Sequence, residues 1–197
     1  MDTSIIITEN FYNNPHEVRQ HALNQEYKVR GNYPGLRTVS FLNDSIKNTI
    51  NGIISPHAGN VTWWGGDGPD NYTGCYQLTT AADRTWIHAD HTTKWAGVLY
   101  LTPGAPHTGG TGLFRHKKTG WFKQPVLPNG KTDTEAESKI SNEFQDYTKW
   151  DLFDVVGNRF NRLVMYRGDY YHASLDYFGK DLQDGRLFQV FFFNTER

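Results

Sequence analysis

Residues 85–103 read TWIHADHTTKWAGVLYLTP, two imidazoles and a carboxylate set just ahead of a run of apolar and aromatic residues. That run, from Trp95 to Thr102, has the length and composition of a buried strand. Successive side chains of an extended chain alternate between faces. His88 and Asp90 therefore share one side, while Ala89 and His91 take the other. An H-x-D pair at the threshold of a strand can converge on one point, and the rest of the chain decides whether it has company there.

Similar short runs recur on either side: VTWW (61–64), YTGCYQL (72–78), TGLFRH (111–116), RLVMY (162–166) and RLFQVFFF (186–193). Gly, Pro and Asn separate them, and this spacing predicts a sandwich or barrel of antiparallel strands. GGDGP (65–69) and GGTG (109–112) read as turns, because neither has the strand-to-helix context of a nucleotide-binding loop. Ahead of these runs, SIIIT (4–8) reads as a short strand. NNPHEVRQHALNQ (13–25) reads as a helix with Asn14 as N-cap, Pro15 in the first turn and Val18, Ala22 and Leu23 on one face. NDSIKNTINGII (43–54) repeats the helical pattern through Ile46, Ile50, Ile53 and Ile54. The expected fold class is mainly β with helical support. A jelly-roll, double-stranded β-helix core over 61–197 is backed by a helical layer over 1–60, as one domain spanning 1–197. The charged segment 132–150, with Ile140, Phe144 and Tyr147 at helical spacing, reads as part of an insertion at about 117–150 that packs one face on the barrel.

The chain of 197 residues is long enough to bury about two-thirds of its unfolded surface in one core. Its 20 Lys+Arg and 21 Asp+Glu leave a net charge of −1, so no global basic field draws it to nucleic acid or to an anionic membrane. One cysteine, Cys75, cannot close an intrachain disulfide and reads as a small buried strand residue. No apolar stretch approaches the roughly 20 residues that span a bilayer. MDTSIIITENF lacks the basic start and the length of a secretory leader. The expectation is a soluble, cytoplasmic protein.

A metal site with open positions needs a third ligand, and NRLVMYRGDYYHASLDYFG (161–179) offers His172 near the end of another apolar run. Two histidines and one carboxylate form the facial triad of non-haem Fe(II) oxygenases. Surface positions or hydrogen-bonded core positions are the commoner account of an H-x-D match taken alone, since chance pairs are frequent. Arg186 opens the final apolar strand, where a desolvated guanidinium needs a carboxylate. A dicarboxylic cosubstrate would supply one. So would Asp169, Asp176, Asp181 or Asp184, and exposure at a turn would remove the need.

Taken in order, HAD, VLYLTP, GGTGLF, NRLVMYRGDYYHAS and RLFQVFFF resemble the 2-oxoglutarate-dependent Fe(II) oxygenases, nearest the prolyl 4-hydroxylase-like branch with its small viral and bacterial members. The resemblance covers residues 72–194. It implies Fe(II), 2-oxoglutarate and O2 as cofactor and cosubstrates, and His88, Asp90 and His172 as metal ligands and catalytic centre. It also implies Arg186 as the partner of the cosubstrate's distal carboxylate, Tyr100 as a hydrogen-bond donor to that carboxylate, and Tyr76 as a further cosubstrate-facing tyrosine. The loop between Tyr76 and His88 differs in length from the family pattern. Thirteen residues separate His172 from Arg186, more than in many members, so LDYFGKDLQDG (175–185) is expected as a longer hairpin. Lys180 within it is the rival cosubstrate binder. Halogenating relatives lack the carboxylate, and Asp90 is present, which implies hydroxylation. For a viral member the location would be a host's cytoplasm.

The implied substrate is a prolyl residue in a peptide or protein. A free amino acid, another small molecule or a nucleobase is the alternative within the class. A non-catalytic jelly-roll binding module and a zinc hydrolase are rivals from other classes; the first fits poorly with an intact residue set, and the second leaves Arg186 unexplained. His91 reads as a bystander or an outer group, His107 and His116 as surface residues beside the glycine turn, and Trp63, Trp64 and Trp86 as core.

Overall fold

The computed structural model describes residues 3–65 and 72–197, so all but the first residue of the GGDGP turn lies outside the described residues. In chain order the elements are β1 (Ile5–Thr8), α1 (Pro15–Leu23), β2 (Leu36–Ser40), α2 (Asp44–Ala58), β3 (Val61–Trp64), β4 (Cys75–Thr79), β5 (Trp95–Tyr100) and β6 (Thr111–His116). They continue with α3 (Thr134–Ser138), β7 (Trp150–Val156), β8 (Leu163–Arg167), β9 (His172–Ser174) and β10 (Arg186–Thr195). All pairings are antiparallel. The larger sheet runs β1-β8-β5-β10-β4-β2, with β3 also on β10, and the smaller runs β7-β6-β9.

Strand β10 is the axis of the molecule. Its first half pairs with β4, its last residues pair with β3, and its other edge pairs with β5. It is apolar on both faces, as a strand covered on both sides must be. Leu187, Phe191 and Phe193 point outward to Ile50 and Ile54 of α2 and Ala22 of α1. Phe188 and Val190 point inward with Val98, Tyr100 and Val164, where they meet Leu113 and Val156 of the smaller sheet. Burying Ile50 and Ile54 completely contributes about 1.5–3 kcal/mol each. Helix α2 starts where expected, because the Asn43 side chain accepts from the Ile46 backbone N–H and satisfies one of the free amides of the first turn. At Asn14 the side chain makes no such cap; its amide donates to Glu17 instead.

This is the double-stranded β-helix architecture expected from the strand spacing, with three differences of detail. The first 60 residues are not purely a helical layer, since β1 and β2 form the two edges of the larger sheet. The segment 132–150 is not one helix: only Thr134–Ser138 is α-helical, followed by 3-10 turns at Ser141–Glu143 and Tyr147–Lys149. Capping by Asp133 and Asp146 starts and restarts the chain there. Strand β7 was hidden by that helical spacing; it is an edge strand with Leu152, Phe153 and Val155 exposed, so its sequence lacks a clean inside–outside alternation. Cys75 is buried, as expected. Among the described residues, no helix is long and apolar enough to cross a membrane.

Candidate metal centre and cavity

The HAD segment is held beside β9 by a reciprocal pair of backbone bonds, His88 N–H to His172 O at 2.9 Å and His172 N–H to His88 O at 2.7 Å. It thereby extends the smaller sheet by one short strand. Pleat alternation then separates its side chains. Ile87 and Ala89 pack outward with Phe114, Trp150, Tyr171 and Ala173. His88 and Asp90 face inward, and with His172 they form a group whose candidate ligand atoms all lie within 4.8 Å of one another.

Both imidazoles are oriented by the backbone. The Nδ1–H of His88 donates to the Trp86 carbonyl at 3.1 Å, and that of His172 donates to the Tyr170 carbonyl at 2.8 Å. A carbonyl can only accept, so each Nε2 is left with its lone pair free. Burial, then the neighbouring His88, pushes the His172 imidazole down to about 4, which keeps it neutral. Asp90 Oδ2 is buried without a hydrogen-bond partner and lies 3.8 Å from His172 Nε2. Two free ring nitrogens and an unsatisfied carboxylate oxygen converging in a cavity form the donor set of a divalent metal with open positions, and they fit Fe(II). Gly168 makes this possible, because a Cβ there would come within 2.6 Å of the Thr93 carbonyl and 3.2 Å of Asp90 Cβ.

The cluster opens into a cavity of about 680 Å3 between the sheets. Arg186 is not itself on the cavity wall, but two wall residues, Phe188 and Tyr177, lie over its guanidinium. It is fully buried, with Nε–H donating to Gly109 O at 2.8 Å, Nη2 donating to Gly110 O at 3.3 Å, and Nη1 without any partner. The GGTG turn brings those carbonyls close because Gly110 has no side chain: a Cβ would lie 2.0 Å from the Val156 carbonyl. None of the four aspartates considered from sequence pairs with Arg186. Asp169 pairs with Arg167, Asp181 and Asp184 accept from backbone amides of their own turn, and Asp176 is exposed. Tyr100 is fully buried on the same inward face, 5.4 Å from the guanidinium carbon to its ring centroid, and its hydroxyl shares a 2.8 Å hydrogen bond with Thr111. Phe188 and Tyr177, both of the cavity wall, close over the guanidinium at 4.2 and 5.9 Å.

Tyr76 departs from expectation. It sits one residue out of phase with the inward-facing Cys75 and Gln77, so it points to the helical layer, stacked on Phe41 at 5.3 Å and edge-on to His21. It cannot face a cosubstrate from there. Lys180 is exposed in the 175–185 turn, away from the cavity wall. His91 lines the cavity but is not part of the cluster: Gln124 donates to its Nδ1 at 3.0 Å, and Glu137 lies 3.6 Å from its Nε2. His116 is wholly buried between Thr119 and Glu143 rather than on the surface. Trp63 and Trp86 line the cavity rather than the core. Three lining residues had no signal in the sequence. Tyr166 lies inside an apolar run, and Arg37 and Gln77 sit in stretches whose turn residues and mixed polarity hide a buried pair.

A sandwich of two antiparallel sheets with an inward His–Asp–His cluster defines the class, and solved structures share its fold. HygX from Streptomyces hygroscopicus, solved with nickel and 2-oxoglutarate, superposes with a TM-score of 0.63 at 9% identity, over 98% of this chain and 84% of that one. The same protein solved with nickel, 2-oxoglutarate and hygromycin B gives 0.60 at 9% identity, over 98% and 84%. A prolyl hydroxylase from Trichoplax adhaerens, in complex with a hypoxia-inducible-factor peptide fragment, gives 0.50 at 14% identity, over 96% and 83%. No curated protein matches the chain. Residues 1–193 match one family model, and the chain belongs to that family, DUF6445, described as a family of unknown function.

Proposed function

We propose that the chain is, as one domain over its whole length, a 2-oxoglutarate- and Fe(II)-dependent dioxygenase that hydroxylates a C–H bond. His88, Asp90 and His172 would hold the metal. The observation that carries this reading is the buried Arg186, whose Nη1 lacks a partner in the same sandwich as a two-histidine, one-carboxylate cluster. A desolvated guanidinium with no acid beside it is unfavourable until an anion arrives, and a cosubstrate carboxylate is such an anion. A zinc hydrolase would leave that arginine without a purpose. Fe(II), 2-oxoglutarate and O2 together supply the oxidation that turns C–H into C–OH, the cosubstrate leaving as succinate and CO2.

The protein's own part is orientation and exclusion. The Trp86 and Tyr170 carbonyls fix both imidazole tautomers, and Gly168 lets Asp90 approach. Arg186 and Tyr100 would bind the distal carboxylate, and Tyr177 with Phe188 would keep water from it. The HygX structures, which hold nickel and 2-oxoglutarate, support the same pairing of metal and cosubstrate on this fold. A single cysteine accords with a cytoplasmic setting.

For the substrate, a prolyl residue in a peptide is the reading that follows from the order of the sequence motifs, and aromatic walls such as Trp63 and Trp86 suit a ring. A small molecule is the second reading, favoured by a second buried arginine, Arg37, on the cavity wall and by the hygromycin B held in HygX. The deciding experiment is succinate formation from 2-oxoglutarate with Fe(II), followed by mass spectrometry of candidate substrates. A gain of one oxygen on proline-containing peptides supports the first reading, a gain only on small molecules supports the second, and no succinate under any condition removes the oxygenase.

A further inference from the structure

The second arginine is Arg37, the second residue of β2 and directly opposite Gln77 of β4. It is 6% exposed, its Nε–H donates to Gln77 Oε1 at 2.8 Å, and Gln77 is itself held by its own Nε2 donating to Pro34 O at 2.7 Å. The guanidinium carbon lies over the Tyr33 ring at 3.7 Å from its centroid, with Tyr72 at 5.0 Å. Among the described residues no carboxylate pairs with it, and neither Nη makes a hydrogen bond, although the residue lines the same cavity as the metal cluster. Burial pushes its pKa down to about 10, which leaves it charged at neutral pH. Aromatic faces offset part of the cost of burying that charge, but they leave the planar N–H edge unused.

Depth distinguishes the two arginines. Arg186 is fully buried behind the cavity wall, whereas Arg37 is on that wall, ringed by Tyr33, Tyr72 and Phe192, each partly open to solvent. One cation is therefore placed for the cosubstrate, and the other for whatever enters after it. We propose that Arg37 anchors a carboxylate of the substrate, which makes the substrate class a carboxylic acid: a free acid, or a peptide presenting its C-terminal carboxylate. The assignment of substrate rather than cosubstrate rests on the oxygenase reading. With iron, Asp90, Arg186 and 2-oxoglutarate in place, Arg37 leaves the cavity with a surplus positive charge that an anionic substrate would neutralise.

Calorimetric titration of the full chain loaded with Ni(II) and 2-oxoglutarate tests this. The probes are benzoate, N-acetylproline and a short peptide ending in proline, each against its carboxamide, so that the two carboxylate sources are distinguished. At least one acid is expected to bind about tenfold or more tightly than its amide, as one charge-assisted pair allows. Arg37→Met and Arg37→Gln are expected to abolish that preference while 2-oxoglutarate affinity stays within about threefold of wild type. Arg37→Lys, which keeps the charge but not the planar fork, replaces them if they do not fold, and is expected to shrink the preference. The proposal is overturned if no acid is preferred, including if none binds, or if the preference survives loss of Arg37. It is also overturned if Arg37→Met weakens 2-oxoglutarate as much as Arg186→Met does, since Arg37 would then hold the cosubstrate. Failure of 2-oxoglutarate to bind Ni(II)-loaded wild type removes the oxygenase reading separately, and the acid–amide comparison without cosubstrate still decides Arg37.

Discussion

His88, Asp90 and His172 are held in place by hydrogen bonds of the backbone rather than by contacts between their side chains, so each side chain can be removed without unravelling its neighbours. His88→Ala, Asp90→Ala and His172→Ala are each expected to abolish tight Ni(II) or Fe(II) binding while the circular dichroism spectrum stays that of the wild type. His91→Ala is expected to keep metal affinity, since that ring is engaged with Gln124 and Glu137. A metal titration across the four variants that ranked His91 with the ligands would contradict the inward geometry. Arg186→Ala is expected to weaken 2-oxoglutarate binding by about 2–5 kcal/mol, the range for truncating one partner of a buried charged pair, with little change in metal affinity. Lys180→Ala should leave both unchanged, because Lys180 is exposed in its turn. The reverse order in a cosubstrate titration would move the role to Lys180.

Between elements, the tightest constraint on the site is the passage of the β8–β9 connection behind Asp90. The Asp90 N–H donates to Gly168 O at 2.7 Å, and a methyl at 168 would meet the Thr93 carbonyl at 2.6 Å. Gly168→Ala is thus expected to shift the HAD segment and lower metal affinity by about tenfold or more, about 1.4 kcal/mol, in the same titration. An unchanged affinity would mean that the segment yields freely. How far such elements can be read from sequence depends on what fixes each one. Alternation put His88 and Asp90 on one face, and the apolar run behind Arg186 marked a strand whose leading charge would need an anion if buried; it is buried. The same alternation, applied to β4, would have turned Tyr76 toward the helices, but a one-residue phase is invisible without the partner strand. Arg37 was hidden for a related reason. LRTVS follows a turn-rich stretch, and nothing local says that Gln77, Tyr33 and Tyr72 gather round its guanidinium. Strand β7 escaped because an edge strand with exposed Leu152, Phe153 and Val155 carries no clean pattern.

At the scale of the whole molecule, helices α1 and α2 and the metal centre lie on opposite faces of the larger sheet, so stability and binding are expected to respond separately. Ile50→Ala should cost about 2–5 kcal/mol of unfolding free energy, the usual range for an emptied aliphatic site, yet leave Ni(II) stoichiometry and affinity intact. Denaturant unfolding alongside metal titration checks both halves of that statement. Conversely, Ni(II) and 2-oxoglutarate should each stabilise the wild type by about 2.7 kcal/mol at a hundredfold excess over the respective dissociation constant, and Arg186→Ala should lose the cosubstrate's share. Thermal denaturation with and without 2-oxoglutarate reads it directly.

The buried Cys75 takes on a different meaning if this sandwich handles O2. Its sulfur sits on the inward face of β4, and burial raises its pKa to about 11, so the reactive thiolate is almost absent at neutral pH. Sulfenic acid formation, the first rung of oxidative self-inactivation, proceeds from the thiolate. A chain with one thiol, kept protonated and 1% exposed, therefore has little for peroxide leaking from uncoupled turnover to attack. Alkylation of that thiol in the folded protein should accordingly proceed no faster than the sandwich opens, which makes iodoacetamide labelling a clock for its breathing.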